Sequence, residues 1–197
     1  MEKPTIYLSI DIETDGGNVL VNNMLSLGIS ALSVDGQEVC NFYENFNELD
    51  GHIADKSCME NFWAKNPEAL EKTKVDKKDV FVIMKNLSKV LTYLDKEYTI
   101  KFVAMPSCFD WQFFKSYYEF AKHIDPTITY DIGFKCICFS TLMDCYRKQK
   151  NLSDRDYFFF KKSLCDIDSS KCHDAAYDAR VQGIMFTKLI KLMNISF

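Results

Sequence analysis

The sequence predicts a single α/β domain over residues 1–197. It should contain a mixed β-sheet, antiparallel in its first three strands and parallel afterwards, flanked by helices. Three observations carry this reading. Strand-like segments crowd the first 46 residues, with a hairpin signal between two of them. Helical and strand-like periods alternate after residue 55, which calls for crossover connections. No repeat, low-complexity tract or Pro/Gly/Ser-rich linker divides the 197 residues, a length that can bury one real core.

Residues 5–13 begin as an alternating strand, with Ile6, Leu8, Ile10 and Ile12 on one face and Tyr7, Ser9, Asp11 and Glu13 on the other. Residues 24–34 and 37–46 are the next two strands. Asp35-Gly36 joins them, a dipeptide that tolerates positive φ. Residues 79–94 place Val80, Ile83, Met84, Leu87, Val90, Leu91 and Leu94 at helical spacing. The apolar segment 99–105 is a fourth strand ended by Pro106, followed by a helix from about Phe109 to Lys122. "KCICFSTLM" is predicted as a buried strand, and the stretch between Thr141 and Asp174 as irregular. A final helix from Asp174 to Met193 carries Val181, Ile184, Met185, Leu189 and Leu192 on one side, with Ala175, Ala176 and Ala179 small enough for close approach to another element.

Composition sets outer limits. The chain is 47% hydrophobic and 26% charged, as in ordinary globular proteins, and no run approaches the roughly 18 apolar residues of a membrane span. The start "MEKPTIYLSIDIE" has no signal-peptide pattern, so the expected location is the reducing cytoplasm, and the sequons at Asn86, Asn151 and Asn194 are expected to be unused. Eight cysteines without any C-x-x-C pair argue against a structural zinc site and for mostly buried, reduced thiols. A net charge of −4 does not advertise a nucleic-acid binder, but an acidic metal site with a local basic rim is compatible with it.

The chemistry lies in a few acids. Asp11 and Glu13 share a strand face where the apolar pattern stops, and two like charges so close need something positive between them. Asp110 follows the fourth strand at a helix start, and Asp178 lies in the first turns of the last helix, five residues after His173. If these segments converge, four carboxylates and one imidazole share a cleft, which suits divalent cations such as Mg²⁺. In that arrangement Asp11 would bridge two ions, Glu13 and Asp178 would complete one, and Asp110 would bind directly or through water. His173 is placed outside the ligand set, as a proton acceptor for an attacking water.

"SIDIETDG", "FDWQFF" and "HDAAYDA", in that order, resemble the three motifs of the DEDDh family of 3′–5′ exonucleases, across residues 5 to about 190. "MLSLGISAL" is similar to that family's second strand, and "FWAKNPEAL" to a segment of some phage and bacterial members. The resemblance implies a ribonuclease-H-like fold and hydrolysis of single-stranded RNA or DNA from a free 3′ end to 5′-mononucleotides. It implies Mg²⁺ or Mn²⁺, two ions, on Asp11, Glu13, Asp110 and Asp178, with His173 as general base. Thr14, Asp15 and Gly16 match the turn that lines the 3′-terminal nucleotide pocket. Met105 departs from the pattern, standing where many members place His or Asn five residues before the second-motif Asp.

Other features have competing readings. Phe62, Trp63 and Trp111 could stack on bases or belong to the core, and His52 and His123 read as structural. "YFFFKK" at 157–162, with Arg147, Lys148, Lys150, Arg155 and Lys171 nearby, could guide a strand or be a solvated basic loop held by a Phe anchor. Two alternatives to the exonuclease stand beside it: a phosphodiesterase for short oligonucleotides using the same site, and a catalytically silent nucleic-acid- or protein-binding module.

Overall fold

A computed structural model describes residues 3–197. In chain order it comprises β1 (Thr5–Thr14), β2 (Met24–Ser33), β3 (Glu38–Asn45), the short helices α1 (Lys56–Asn61) and α2 (Pro67–Lys72), α3 (Val80–Glu97), β4 (Thr99–Ala104), α4 (Ser107–Ile124), β5 (Cys136–Cys138), α5 (Phe139–Gln149), α6 (Asp154–Leu164) and α7 (Ala175–Met193). The strands form one sheet in the order β3-β2-β1-β4-β5. β1, β2 and β3 are antiparallel neighbours, while β4 runs parallel to β1 and β5 parallel to β4. This is the mixed sheet expected from the sequence. The β2–β3 turn has Gly36 at φ +81°, the left-handed conformation that favours glycine.

Alternation along β1 divides the interior in two. Ile6, Leu8, Ile10 and Ile12 join Leu27, Ile29 and Phe102 under α3 and α4, which contribute Ile83, Met84, Leu87, Leu91, Phe113, Phe114 and Tyr118. On the opposite face Tyr7 and Val103 meet Phe139, Met143, Leu164, Phe186 and Leu189 from α5, α6 and α7. Asp79 caps α3 by accepting from the Phe81 N–H at 2.8 Å, which sets the start of that helix.

Three local expectations are corrected. The strand in "KCICFSTLM" stops at Cys138, and Phe139 already begins α5. The stretch between Thr141 and Asp174 is mostly helical, because Ser153 caps α6 by accepting from the Asp156 N–H. All eight cysteines are free, yet none is fully buried; Cys108 and Cys145 are exposed and the others half-buried. They sit on helix ends, helix faces and the outer strands β3 and β5 rather than in the central core.

The buried stripe of α7 is also rotated from the one expected. Met185 and Leu189 of the expected stripe are buried, but Ala175, Ala179, Gln182, Gly183, Phe186 and Ile190 face inward beside them, Val181 and Ile184 are half-buried, and Leu192 is 56% exposed. Small residues produce this contact. A Cβ on Gly28 of β2 would lie 2.0 Å from the Ala175 carbonyl oxygen, and one on Gly183 would meet Leu32 at 2.2 Å. The start of α7 therefore lies directly on the sheet. Gly28→Ala should cost about 2–3 kcal/mol of stability, since backbone must move to admit the methyl, and should lower any activity that depends on Asp178. Thermal melting checks it; an unchanged melting temperature would contradict the contact.

Candidate active site

β1 and β4 run side by side up to the Ile10–Ala104 pair, and Asp11 is the first residue beyond it. Open α/β sheets bind ligands outside such carboxyl ends, where diverging chains leave a crevice. β4 turns away into α4, whose first turn carries Asp110. α7 starts over the same crevice and carries Asp178 in its first turn. The register pairs Asp11 with Gly28 and Glu13 with Ser26, so small β2 residues flank both acids and leave room for the helix. Gln182, one turn after Asp178, donates from Nε2 to Ser9 Oγ at 2.8 Å and to the Ile10 carbonyl at 3.0 Å. This buried clamp ties α7 to β1 beside Asp11. Its signal in the sequence is a glutamine four residues after Asp178, on the same helix face.

The four acids converge electrostatically. Burial pushes the Asp11 carboxyl well above the usual range, and the charges of Asp110, Glu13 and Asp178 add to it. Burial also raises Glu13 to about 8, with Asp178 and Asp110 contributing. Burial alone raises Asp110, to about 7, and burial likewise raises Asp178. No ion pair among the described residues involves any of the four. Asp110 Oδ2 is buried without a hydrogen-bond partner. An all-oxygen set of mutually repelling donors, with Glu13 and Asp110 buried, Asp11 and Asp178 half-buried and one oxygen orphaned, fits hard divalent cations.

His173 lies in the turn before α7 at φ +63°, and its backbone N–H donates to Asp178 Oδ2 at 2.7 Å. One ring nitrogen and carboxylate oxygens of Glu13 and Asp178 all fall within 4.8 Å of one another. The sequence pattern sets this ring apart from the ligand set; the fold corrects that, because a ring nitrogen lies among the Glu13 and Asp178 oxygens at a distance that could share a metal ion. The left-handed turn and the Asp178 hydrogen bond fold the chain back toward β1. The Phe62 ring meets the imidazole edge-on, with centroids 4.8 Å apart.

The other sequence candidates separate into contacts and scaffold. Thr14, Asp15 and Gly16 form the turn after β1, but the buried Asp15 carboxylate accepts from the Asn23 backbone N–H at 2.6 Å and side-chain amide at 2.7 Å. Trp63 is 1% exposed and donates from Nε1 to the Thr14 carbonyl at 2.9 Å, so it supports the turn from below. Trp111 packs on Phe102 and Phe114. Asp174 caps α7 through the Ala176 and Tyr177 N–H groups and pairs with Lys72 at 3.1 Å. The sequence did not single out Gly28, Gln182 or the Phe62–His173 contact.

The raised carboxylates give a signed pH dependence. The folded chain holds these protons more tightly than the unfolded one. Metal-free stability should therefore be greatest in acid and fall as pH rises from the ordinary carboxylate range of about 4 toward the Glu13 value of about 8. Bound Mg²⁺ should offset the repulsion, so its gain in melting temperature should be larger at pH 8 than at pH 6. A metal-free melting temperature that rises steadily from pH 5 to 8 would contradict this.

Comparison with solved structures places the architecture among ribonuclease-H-like folds. Exonuclease I of E. coli in complex with a dT13 oligonucleotide superposes with a TM-score of 0.70 at 11% identity, over 96% of this chain and 43% of that one. The nuclease domain of 3′hExo, a DEDDh family member bound to rAMP, gives 0.58 at 12% identity, over 96% of this chain and 92% of that one. The S. pombe Pop2p in its Mg²⁺- and Mn²⁺-bound form gives 0.54 at 13%, over 96% and 83%. The chain thus spans less than half the length of exonuclease I. At these identities the likeness establishes the fold alone. No family model matches the sequence, and no curated protein matches it.

Proposed function

We propose that this chain is a metal-dependent 3′–5′ exonuclease of the DEDDh type, hydrolysing single-stranded RNA or DNA to 5′-mononucleotides. The observation that carries the reading is the meeting of Asp11, Glu13, Asp110 and Asp178 at one sheet end, without any Lys or Arg pairing them among the described residues, beside His173. The exonuclease and DEDDh neighbours on the same fold support it, as does the metal-bound Pop2p.

The four carboxylates would hold two Mg²⁺ or Mn²⁺ ions, which polarise a phosphodiester and offset the charge developing in its transition state. His173 accepts the proton of the attacking water at a ring nitrogen, its ring set by Phe62 and its backbone by Asp178. Asp178 has two tasks: one oxygen holds the His173 N–H and the carboxylate completes the acidic set. The turn Thr14–Gly16 borders the 3′-terminal nucleotide, with the Asp15 carboxylate keeping its shape through Asn23. Gln182 keeps Asp11 and Asp178 at a constant separation.

The test uses 5′-labelled single-stranded RNA and DNA of one sequence, with Mg²⁺ or Mn²⁺. The expected result is a ladder shortening from the 3′ end, with release of 5′-mononucleotides. Internal cuts, or no cleavage of either strand, would overturn the proposal.

A further inference from the structure

Beside the carboxylates, between α6 and α7, runs a groove of ≈ 420 Å³. Asp11 and Asp178 form its inner end, and Val181 and Met185 of α7 make its floor. Phe158, Lys161 and Lys162 of α6 form the outer wall. Phe158 is 49% exposed, on a helix that fully buries only Leu164. The Lys162 ammonium lies 4.5 Å from that ring's centroid. Neither Lys161 nor Lys162 forms an ion pair among the described residues, although the chain as a whole carries −4. Residues 139–172 reverse that balance, with seven Lys and Arg against five Asp.

We propose that this groove seats the nucleotides on the 5′ side of the scissile phosphodiester. An unpaired base stacks on Phe158 and rests on the Val181–Met185 floor, while Lys161 and Lys162 neutralise the phosphates that follow. The occupant is a single strand: a duplexed base has no free face to offer Phe158, whereas every unpaired base does. The strand's direction follows from the exonuclease reading. Its reacting phosphate lies at the acidic end, and its continuing backbone leaves over the basic wall. The substrate class is therefore an oligonucleotide that extends past its terminal residue, rather than a dinucleotide or a free nucleotide. This assignment rests on the exonuclease reading above.

The experiment compares the wild-type chain with F158A and with K161E/K162E, each first checked by melting for an intact fold. In anisotropy with a 3′-hydroxyl 12-mer and Ca²⁺ in place of Mg²⁺, each variant should bind about tenfold more weakly. K161E/K162E should also lower the slope of log affinity against log salt by about 0.7 for each phosphate that is no longer neutralised. With Mg²⁺, the ratio of kcat/KM for the 12-mer to that for a dinucleotide should fall by about tenfold. Equal losses on both substrates, or wild-type affinity and salt slope in the charge-reversed variant, would overturn the proposal. Binding separates its failure from that of the exonuclease reading. A wild-type chain that binds the 12-mer through these residues but cuts nothing would support the groove and sink only the catalysis. A chain that cuts the 12-mer normally in both variants would do the reverse.

Discussion

Asp11→Asn is expected to lower strand cleavage by at least about 10³-fold while raising the melting temperature of the metal-free protein. The two effects have opposite signs because one carboxylate causes both. Without a cation, the Asp11 carboxylate is partly withdrawn from water and pressed by Asp110, Glu13 and Asp178, and its carboxyl is driven well above the ordinary range. The amide keeps the shape and removes the charge, so the folded state loses a repulsion that the unfolded chain hardly feels. In the proposed site the same carboxylate would be one of the ligands of a divalent ion. Its loss removes transition-state charge stabilisation worth several kcal/mol. Melting with and without Mn²⁺ measures both: the variant should start higher and gain less. Full activity of Asp11→Asn with Mg²⁺ would sink the metal assignment outright.

His173→Ala is expected to reduce turnover by about 10²- to 10⁴-fold, the range for losing a positioned general base. A ring nitrogen lies within 4.8 Å of Glu13 and Asp178 oxygens, so loss of rate alone would not separate a base from a ligand. Calorimetry with Mn²⁺ does. A base leaves metal affinity nearly unchanged. A tenfold or larger loss of Mn²⁺ affinity would make the ring a ligand instead. The backbone bond from His173 to Asp178 survives the substitution, so the start of α7 should stay in place.

Legibility along the chain followed burial. β1 to β3 and α3 were readable because each has a strong, single-period apolar face meeting a large core. α5 and α6 were not, since α5 fully buries only Phe139 and Met143, and α6 only Leu164. Stripes so thin leave no period to detect, and the Ser153 cap was the remaining signal. "KCICFSTLM" failed for another reason: in a short apolar run, strand and helix look alike, and the boundary at Cys138 depends on where β4 ends beside it. The rotated face of α7 reflects contact through small residues. Ala175, Ala179 and Gly183 carry almost no hydropathy signal, yet they decide which side can reach Gly28.

Local pattern is enough to place Asp11 and Glu13 on one face of a strand, Asp110 and Asp178 at helix starts, and His173 five residues ahead of Asp178. These are local facts, set by the two-residue period of a strand and by where helices begin. Long-range packing brings the four acids together and sets a His173 ring nitrogen among the Glu13 and Asp178 oxygens. It also separated Trp63, which supports the Thr14 turn, from Phe62, which meets the imidazole, and set Phe158, Lys161 and Lys162 on the wall of a groove that opens at Asp11. Such meetings join residues up to about 170 positions apart in the chain, as Gln182 and Ser9 are. They depend on crossover connections and on how closely α7 can approach the sheet, which no local pattern encodes.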